Sequence, residues 1–424
     1  MLTLLSALLW DRDVLALTLA ALTFAEPADA QFRLRKAPSA QTDLLTIAQL
    51  TRQGAFRPPL NESFDYTYGG IAYRASSDSL FAVSGPYGGS LTEISIPTLS
   101  MSTTEAVLNR ADRLQGPRSP FEGRIAELKT GYVSEDGQMV ATGVLVSGST
   151  LLLSGMRYYG SADYSHFTRS TNLTTTTLAQ GPMTVSHPLN ASFGAGAMAE
   201  IPAGWRAALG NKDTLSGLGP APIITRTSQG PALFAWNASD MIAGTTPVPS
   251  VPLAYYTGAH PTLGTYQGTC GVGVMYCTTD VVGGIAFIDG TDTVAVIGQH
   301  TASDDYCYGT GTANPLLEGE PVGDGSFYCY DPLDASKGEH GYPYLPWVWL
   351  YDANDLAQAA SGAIDPWDVV PYESGPLPSI DTAYPFTIKP GIWGVGYDRA
   401  GKRLFIASSG GAGAQTIFHV VTHP

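Results

Sequence analysis

Two neighbouring carboxylates, Asp304 and Asp305, lie in the most polar and aromatic part of the chain, within the run GQHTASDDYCYGTG. Adjacent side chains on an extended segment point to opposite faces, so these two carboxylates cannot act together as a general acid–base pair. Carboxylate oxygens presented from a loop suit a hard cation such as calcium. The sequence therefore predicts a calcium site at Asp304 and Asp305, and the alternative is a solvated turn beside a disulfide.

Aromatic side chains dominate the segment that follows, where they alternate along a strand-like run and continue into DPWDVVPY. Flat aromatic faces bind sugars and other ligands with an apolar face, but packed sheets need large residues too, and one of the two alternating faces must be core. We predict that this region binds a glycan or another extracellular polymer. The predicted ligand-binding residues are Tyr342, Tyr344, Trp347, Trp349, Trp367, Tyr372, His300 and His340.

Linear catalytic motifs are missing from the chain. It contains no Gly-x-Ser-x-Gly elbow, no Walker A loop, no His-Glu-x-x-His and no EF-hand loop, and its seven histidines are scattered. No catalytic residue is predicted, and a non-catalytic binding protein is the leading interpretation. Two alternatives stay open: a polysaccharide lyase or hydrolase whose acids come from separate loops, and a structural or assembly protein of the cell surface.

Four cysteines, at positions 270, 277, 307 and 329, fall within sixty residues. An even number in an exported chain predicts two disulfides, for which three connectivities exist. We favour Cys270–Cys277 and Cys307–Cys329, which each close a short loop. A zinc site would need paired C-x-x-C knuckles or nearby histidines, and the sequence has neither.

The formal net charge of −15 argues against nucleic acid or anionic lipid as a partner, because binding to either depends on clustered Lys and Arg. The N-terminal region contains the apolar run Val14–Phe24, followed by the small-x-small pair Ala28 and Ala30. This pattern predicts a signal peptide over residues 1–30, with cleavage after Ala30. An uncleaved anchor and a buried helix are the alternatives. After cleavage we expect no membrane span, and a secreted, periplasmic or cell-surface location.

One phrase occurs three times: GGIAYRASSDSLFAVSG from Gly69, GGIAFIDGTDTVAVIG from Gly283, and WGVGYDRAGKRLFIASSG from Trp393. Each copy has glycines, an aromatic, a polar turn and an apolar strand, which together predict a β-hairpin. A second phrase, LFAWNASDM and VWLYDANDL, predicts a further strand and a turn capped by Asp240 or Asp355. Units of this kind at irregular spacing favour an all-β fold, a single β-propeller of six or seven four-stranded blades over residues 31–424. A two-domain sandwich is the alternative.

Strand-like runs at 43–50 and 416–423 predict that the two ends of the mature chain pair to close the ring, which removes an open sheet edge. A disulfide-bearing insertion is expected around residues 300–340. The turn YDRAGKRLFIAS, from Tyr397, resembles the blades of secreted bacterial β-propellers of an uncharacterised family. That resemblance implies the fold, and it carries no site residue onto this chain.

Overall fold

The computed structural model describes residues 43–424 except for 61, 63, 65–66, 68, 85–88, 125–138, 158–164, 190, 219–229, 257–269, 272, 305, 378–379, 381–390 and 410–415. The predicted signal peptide over residues 1–30 and the predicted metal ligand Asp305 lie outside the described residues. No helix in the described part of the chain is both long and apolar enough to cross a membrane.

The described residues form five antiparallel four-stranded sheets, together with one smaller sheet. Blade 1 contains β2 (Ile71–Arg74), β3 (Ser79–Ser84), β4 (Ser90–Ser95) and β5 (Arg113–Arg118). Blade 2 contains β6 (Met139–Ser147), β7 (Thr150–Arg157), β8 (His166–Ser170) and β9 (Gln180–Met183). Blade 3 contains β10 (Met198–Glu200), β11 (Thr214–Gly217), β12 (Leu233–Trp236) and β13 (Val251–Ala254). Blade 4 contains β14 (Val281–Ile288), β15 (Thr293–Thr301), β19 (Tyr344–Asp352) and β20 (Glu373–Pro376).

Blade 5 joins the two ends of the described chain. Its order is β1 (Thr51–Phe56), β23 (Ile417–Thr422), β22 (Arg403–Ser409) and β21 (Gly391–Asp398). The predicted closure by terminal strands is confirmed, with the N-terminal strand starting at Thr51. Residues 43–50 instead form coil and a 3-10 turn.

The innermost strands of the five blades contact one another in a closed cycle: β2 with β6, β6 with β10, β10 with β14, β14 with β21, and β21 with β2. Four-stranded sheets arranged radially around such a cycle define a β-propeller, so the predicted fold class is confirmed. The predicted count of six or seven blades is not confirmed, because the described residues form five. Much of the chain length goes instead into long connections and an insertion in blade 4.

The glycines in the repeated phrase are required because the inner strands come very close together at the propeller axis. A Cβ on Gly283 would lie 2.4 Å from the Ile392 carbonyl oxygen, and one on Gly69 would lie 2.5 Å from the Thr142 carbonyl oxygen. Inner strands β6, β14 and β21 each carry a register shift at this level. A bulge with a small residue lets backbones approach where a side chain could not fit.

Apolar side chains fill the spaces between neighbouring blades. Val294 and Val296 of blade 4 pack with blade 3, while Ala295 and Ile297, on the opposite face of the same strand, pack with blade 5. Both faces of β15 are therefore buried, which is why its residues 294–297 are all apolar instead of alternating with polar ones.

Short helices follow the third strand of two blades. The described helices are α1 (Ala203–Arg206), α2 (Ala238–Ile242) and α3 (Ala353–Ala360), with 3-10 turns at Ile47–Gln49, Glu105–Val107, Ala191–Phe193, Pro315–Leu317 and Pro366–Asp368. The second repeated phrase is thus a strand followed by a helix. The carboxylate of Asp352 caps α3 by accepting the Asn354 N–H, and the predicted capping residue Asp355 instead lies in the first turn.

Blade 4 also carries a small separate sheet between β15 and β19. Residues 302–343, here called the insertion, contain β16 (Cys307–Thr312), β17 (Phe327–Tyr330) and β18 (Lys337–His340). Strand β16 lies in the centre, parallel to β17 and antiparallel to β18.

Candidate ligand-binding face

One face of the insertion sheet is lined by tyrosines. Successive residues of a strand point to opposite faces, so Tyr308 shares its face with its cross-strand partner Glu339. Tyr328 and Tyr330 on β17 are opposite Thr310 and Thr312 on β16 and share the same face. Five side chains on or beside this face are called the tyrosine face: Tyr306, Tyr308, Tyr328, Tyr330 and Tyr342.

The tyrosine face is open to solvent and internally braced. Tyr308 is 55% exposed, and the other four tyrosines are partly exposed. The Tyr306 hydroxyl donates to Glu339 Oε1 at 3.3 Å, and the rings of Tyr330 and Tyr342 meet edge to face at 5.7 Å. Neighbouring rings held in this way present both an apolar surface and hydroxyl groups without further ordering.

Glycine alternates with the tyrosine and threonines of β16 because side chains and backbone from the neighbouring strands already fill the space on the reverse face of the sheet beside β16. A Cβ on Gly309 would lie 2.9 Å from Cys329 Sγ, and one on Gly311 would lie 2.8 Å from His340 Cε1. The close packing of the reverse face fixes which side of the sheet faces outward.

A buried polar group joins the reverse face to blade 4. The Asp331 carboxylate lies 3.0 Å from His340 Nδ1 and accepts the Tyr344 hydroxyl at 2.8 Å. His340 Nε2 faces the Ser336 carbonyl oxygen at 3.1 Å, and the Tyr344 hydroxyl accepts the Gly341 N–H. Burial and the nearby Asp331 charge raise the pKa of Tyr344 above its ordinary value. Tyr344 belongs to β19, so this group fastens the insertion to the blade.

Both predicted disulfides are confirmed. Cys307 and Cys329 join β16 to the edge strand β17 with Cα atoms 5.7 Å apart, and Cys270 and Cys277 close the loop before blade 4 with Cα atoms 5.1 Å apart. The first bridge covalently couples the two strands that carry three tyrosines of the tyrosine face.

A second buried polar group, formed by His300 and Asp280, holds the Cys270–Cys277 loop. His300 Nδ1 lies 2.8 Å from Asp280 Oδ2, and His300 Nε2 lies 3.0 Å from the Gly271 carbonyl oxygen. Burial opposes the charged imidazolium, but the Asp280 carboxylate outweighs it and raises the pKa of His300. The same carboxylate accepts the Cys277 N–H, and the Trp347 ring packs on His300 at 4.5 Å.

Several of the aromatics predicted to bind ligand are buried in blade 4. Trp347 and Trp349 are almost inaccessible to solvent, and Trp349 Nε1 donates to the Met275 carbonyl oxygen. Tyr372 is half-buried, and its hydroxyl donates to the Leu45 carbonyl oxygen at 2.5 Å. Trp367 is 37% exposed and meets Tyr255 edge to face, away from the insertion.

The structure brings only Tyr342 of the predicted ligand-binding set onto the tyrosine face. His300, His340 and Tyr344 support the surrounding loops from beneath, with each side chain buried. The other four tyrosines of the tyrosine face were missed. Their sequence signal is the alternation in YCYGTGT and FYCY, where a large polar aromatic recurs at every second residue between the cysteines and glycines of the opposite face.

Asp304 is exposed, and its backbone oxygen accepts the Cys270 N–H. Within the described residues no group of three or more His, Cys, Asp or Glu side chains is placed to hold a metal ion. The calcium site remains a prediction that rests on Asp304 and on Asp305, which is not described.

The fold and the tyrosine face define an all-β propeller with an aromatic, disulfide-braced platform on one blade. No protein-family model matches the chain, and no curated protein is similar to it in sequence. Among solved structures, a glycosyl hydrolase from Bacteroides ovatus is 10% identical with a TM-score of 0.41, covering 91% of this chain and 94% of its own. The catalytic domain of an alpha-L-arabinofuranosidase from Coprinopsis cinerea is 10% identical with a TM-score of 0.35, covering 88% and 98%.

Proposed function

We propose that this protein is an exported, non-catalytic β-propeller that binds a glycan on the tyrosine face. The observation that carries the proposal is the grouping of five tyrosines on one open face of a sheet that is braced by a disulfide and by the buried contact between Asp331 and His340. Pyranose rings have apolar faces and hydroxyl edges, which tyrosine matches with its ring and its hydroxyl group.

The two disulfides support an extracellular site of action, because such bonds persist in oxidising compartments. Function on the cell surface or in the periplasm follows from the same argument together with the predicted signal peptide. The propeller supplies a rigid body, and the insertion projects the binding residues from a scaffold whose own side chains are committed to packing.

Binding to a panel of neutral and charged oligosaccharides, measured by calorimetry on the disulfide-intact chain, tests this proposal. Tyr328→Ala and Tyr308→Ala should each weaken binding by about 3- to 10-fold, since one aromatic contact contributes about 0.5–1.5 kcal/mol. Phe327→Ala is the matched control, because Phe327 is 53% exposed on the same strand but points to the opposite face.

Equal losses in Tyr328→Ala and Phe327→Ala would contradict a role for the tyrosine face. Release of new reducing ends from any oligosaccharide in the panel would overturn the non-catalytic assignment. A panel in which nothing binds would overturn the proposal as a whole.

A further inference from the structure

We infer that the glycan bound by the tyrosine face is cationic, an amine-bearing polysaccharide such as a polymer of glucosamine with free 2-amino groups. This inference rests on the proposed function and adds the charge class of the ligand.

The insertion carries a net negative charge. Residues 302–343 contain eight Asp and Glu, one Lys and no Arg, a formal charge of −7 out of the −15 of the whole chain. A ligand approaching the insertion therefore meets a field that attracts cations and repels anions.

An acidic side chain also lies at the tyrosine face itself. Glu339 is opposite Tyr308 across the strand pair β16–β18 and within hydrogen-bond distance of Tyr306. A second acidic residue, Glu320, is exposed, and its backbone carbonyl oxygen accepts the Tyr328 N–H at 2.9 Å. The single basic residue, Lys337, does not offset them, because its ammonium lies 2.7 Å from the Asp324 carboxylate.

Tyrosine rings and carboxylates together favour an ammonium group over a neutral substituent. The face of an aromatic ring attracts a cation electrostatically, and nearby carboxylates add a longer-range attraction that salt weakens. A sugar that carries an amine satisfies both demands, with its ring on a tyrosine and its ammonium beside Glu339. Charge complementarity of this kind mainly determines which ligand is accepted.

Two hexasaccharides with the same backbone distinguish a cationic from a neutral ligand: the glucosamine hexamer and the N-acetylglucosamine hexamer. The affinity of the protein for each is measured at pH 6, at low and at high salt. We expect the glucosamine hexamer to bind at least 10-fold more tightly, with an advantage that shrinks as salt rises. Glu339→Gln, which keeps a side-chain oxygen that can accept from Tyr306, should remove most of that advantage, so that the affinities of the two hexamers become similar. Asp112→Asn, which removes one exposed carboxylate from blade 1, is the matched control and should leave the preference intact.

Equal and salt-independent binding of the two hexamers would overturn the cationic assignment while leaving the proposed glycan function in place. Failure of every oligosaccharide to bind would overturn both. Tighter binding of hexalysine than of the glucosamine hexamer would overturn the polysaccharide assignment in favour of a basic polypeptide.

Discussion

His340 Nδ1 lies 3.0 Å from Asp331 Oδ2, and both side chains are almost completely inaccessible to solvent. The carboxylate also accepts the Tyr344 hydroxyl, so a single buried acid connects β18 of the insertion to β19 of blade 4. The orientation of the tyrosine face therefore depends on this contact.

Replacing this acid should be strongly destabilising. Asp331→Ala removes the carboxylate that faces a buried imidazole and a buried hydroxyl, and loss of a buried hydrogen-bond partner lowers the free energy of unfolding by about 1–3 kcal/mol. Chemical denaturation measures the change. Asp324→Ala breaks the exposed ion pair with Lys337 and should unfold like the wild type. A wild-type midpoint for Asp331→Ala would contradict the structural role.

Adding a methyl group at the propeller axis should also be destabilising. Gly283→Ala would place a Cβ 2.4 Å from the Ile392 carbonyl oxygen, and overpacking of this kind lowers the free energy of unfolding by about 1–3 kcal/mol. Gly338→Ala on β18 is the control, because a Cβ there would meet nothing within 4 Å. Thermal unfolding of both variants compares them, and equal midpoints would argue against close packing at the axis.

Stability should fall as the solution is acidified. Burial lowers the pKa of His166 and His419 to about 3 and that of His187 to about 4. Below about pH 6.5 the unfolded chain gains protons that the folded chain does not, so each histidine lowers the free energy of unfolding by about 1.4 kcal/mol per pH unit. His166→Gln should reduce that slope by one such increment, as followed by urea unfolding from pH 7 to pH 5.

His300 provides a comparison of opposite sign. Because its pKa is raised, the stability that it contributes is fully present below about pH 6.5 and is lost as the pH rises through its folded value. The destabilisation caused by His300→Gln should therefore be greatest under acidic conditions. Parallel pH profiles for His166→Gln and His300→Gln would contradict the two assignments.

Removing the last strand should expose a sheet edge. Truncation before Ile417 deletes β23, which pairs with both β1 and β22, and it removes the Phe418 ring that stacks on Phe56 at 5.1 Å. Exposed edges template aggregation, so we expect the truncated protein to precipitate or to melt earlier. Deleting only His423 and Pro424 keeps β23 intact and should preserve solubility as measured by light scattering.

The sequence predicts the β-hairpins best where the repeated phrase also contains residues typical of a tight turn. The polar turn at Asp289 and Gly290, with φ +77° at the glycine, lies between strands β14 and β15 as the repeated phrase predicts. The sequence shows glycines at the start of the repeated phrase but not why they are needed, since only the assembled ring shows that the inner strands meet there. The expected count of six or seven blades is not confirmed by the five blades of the described residues, because chain length does not distinguish blades from insertions.

The candidate site was harder to predict, because burial is a property of neighbours. The alternating pattern predicts one buried and one ligand-facing side for the strand that carries Trp347 and Trp349, but both faces of β19 are covered by adjacent blades. The tyrosines of β16 and β17 lie nearly twenty residues apart, and only the parallel pairing of Thr310 with Tyr328 places them on one face. Strand β17 has only four residues, and its sequence gives no indication that it pairs in parallel with β16.

The pairing of Thr51 with Thr422 has a consequence for the order of events during synthesis. The first described strand, β1, belongs to blade 5, whose other three strands lie between Gly391 and Thr422, so β1 cannot join its sheet until those strands have been made. Contacts between such distant residues form slowly, since a very long loop must close first. The ring of described blades therefore closes late, after blades 1 to 4 have been synthesised.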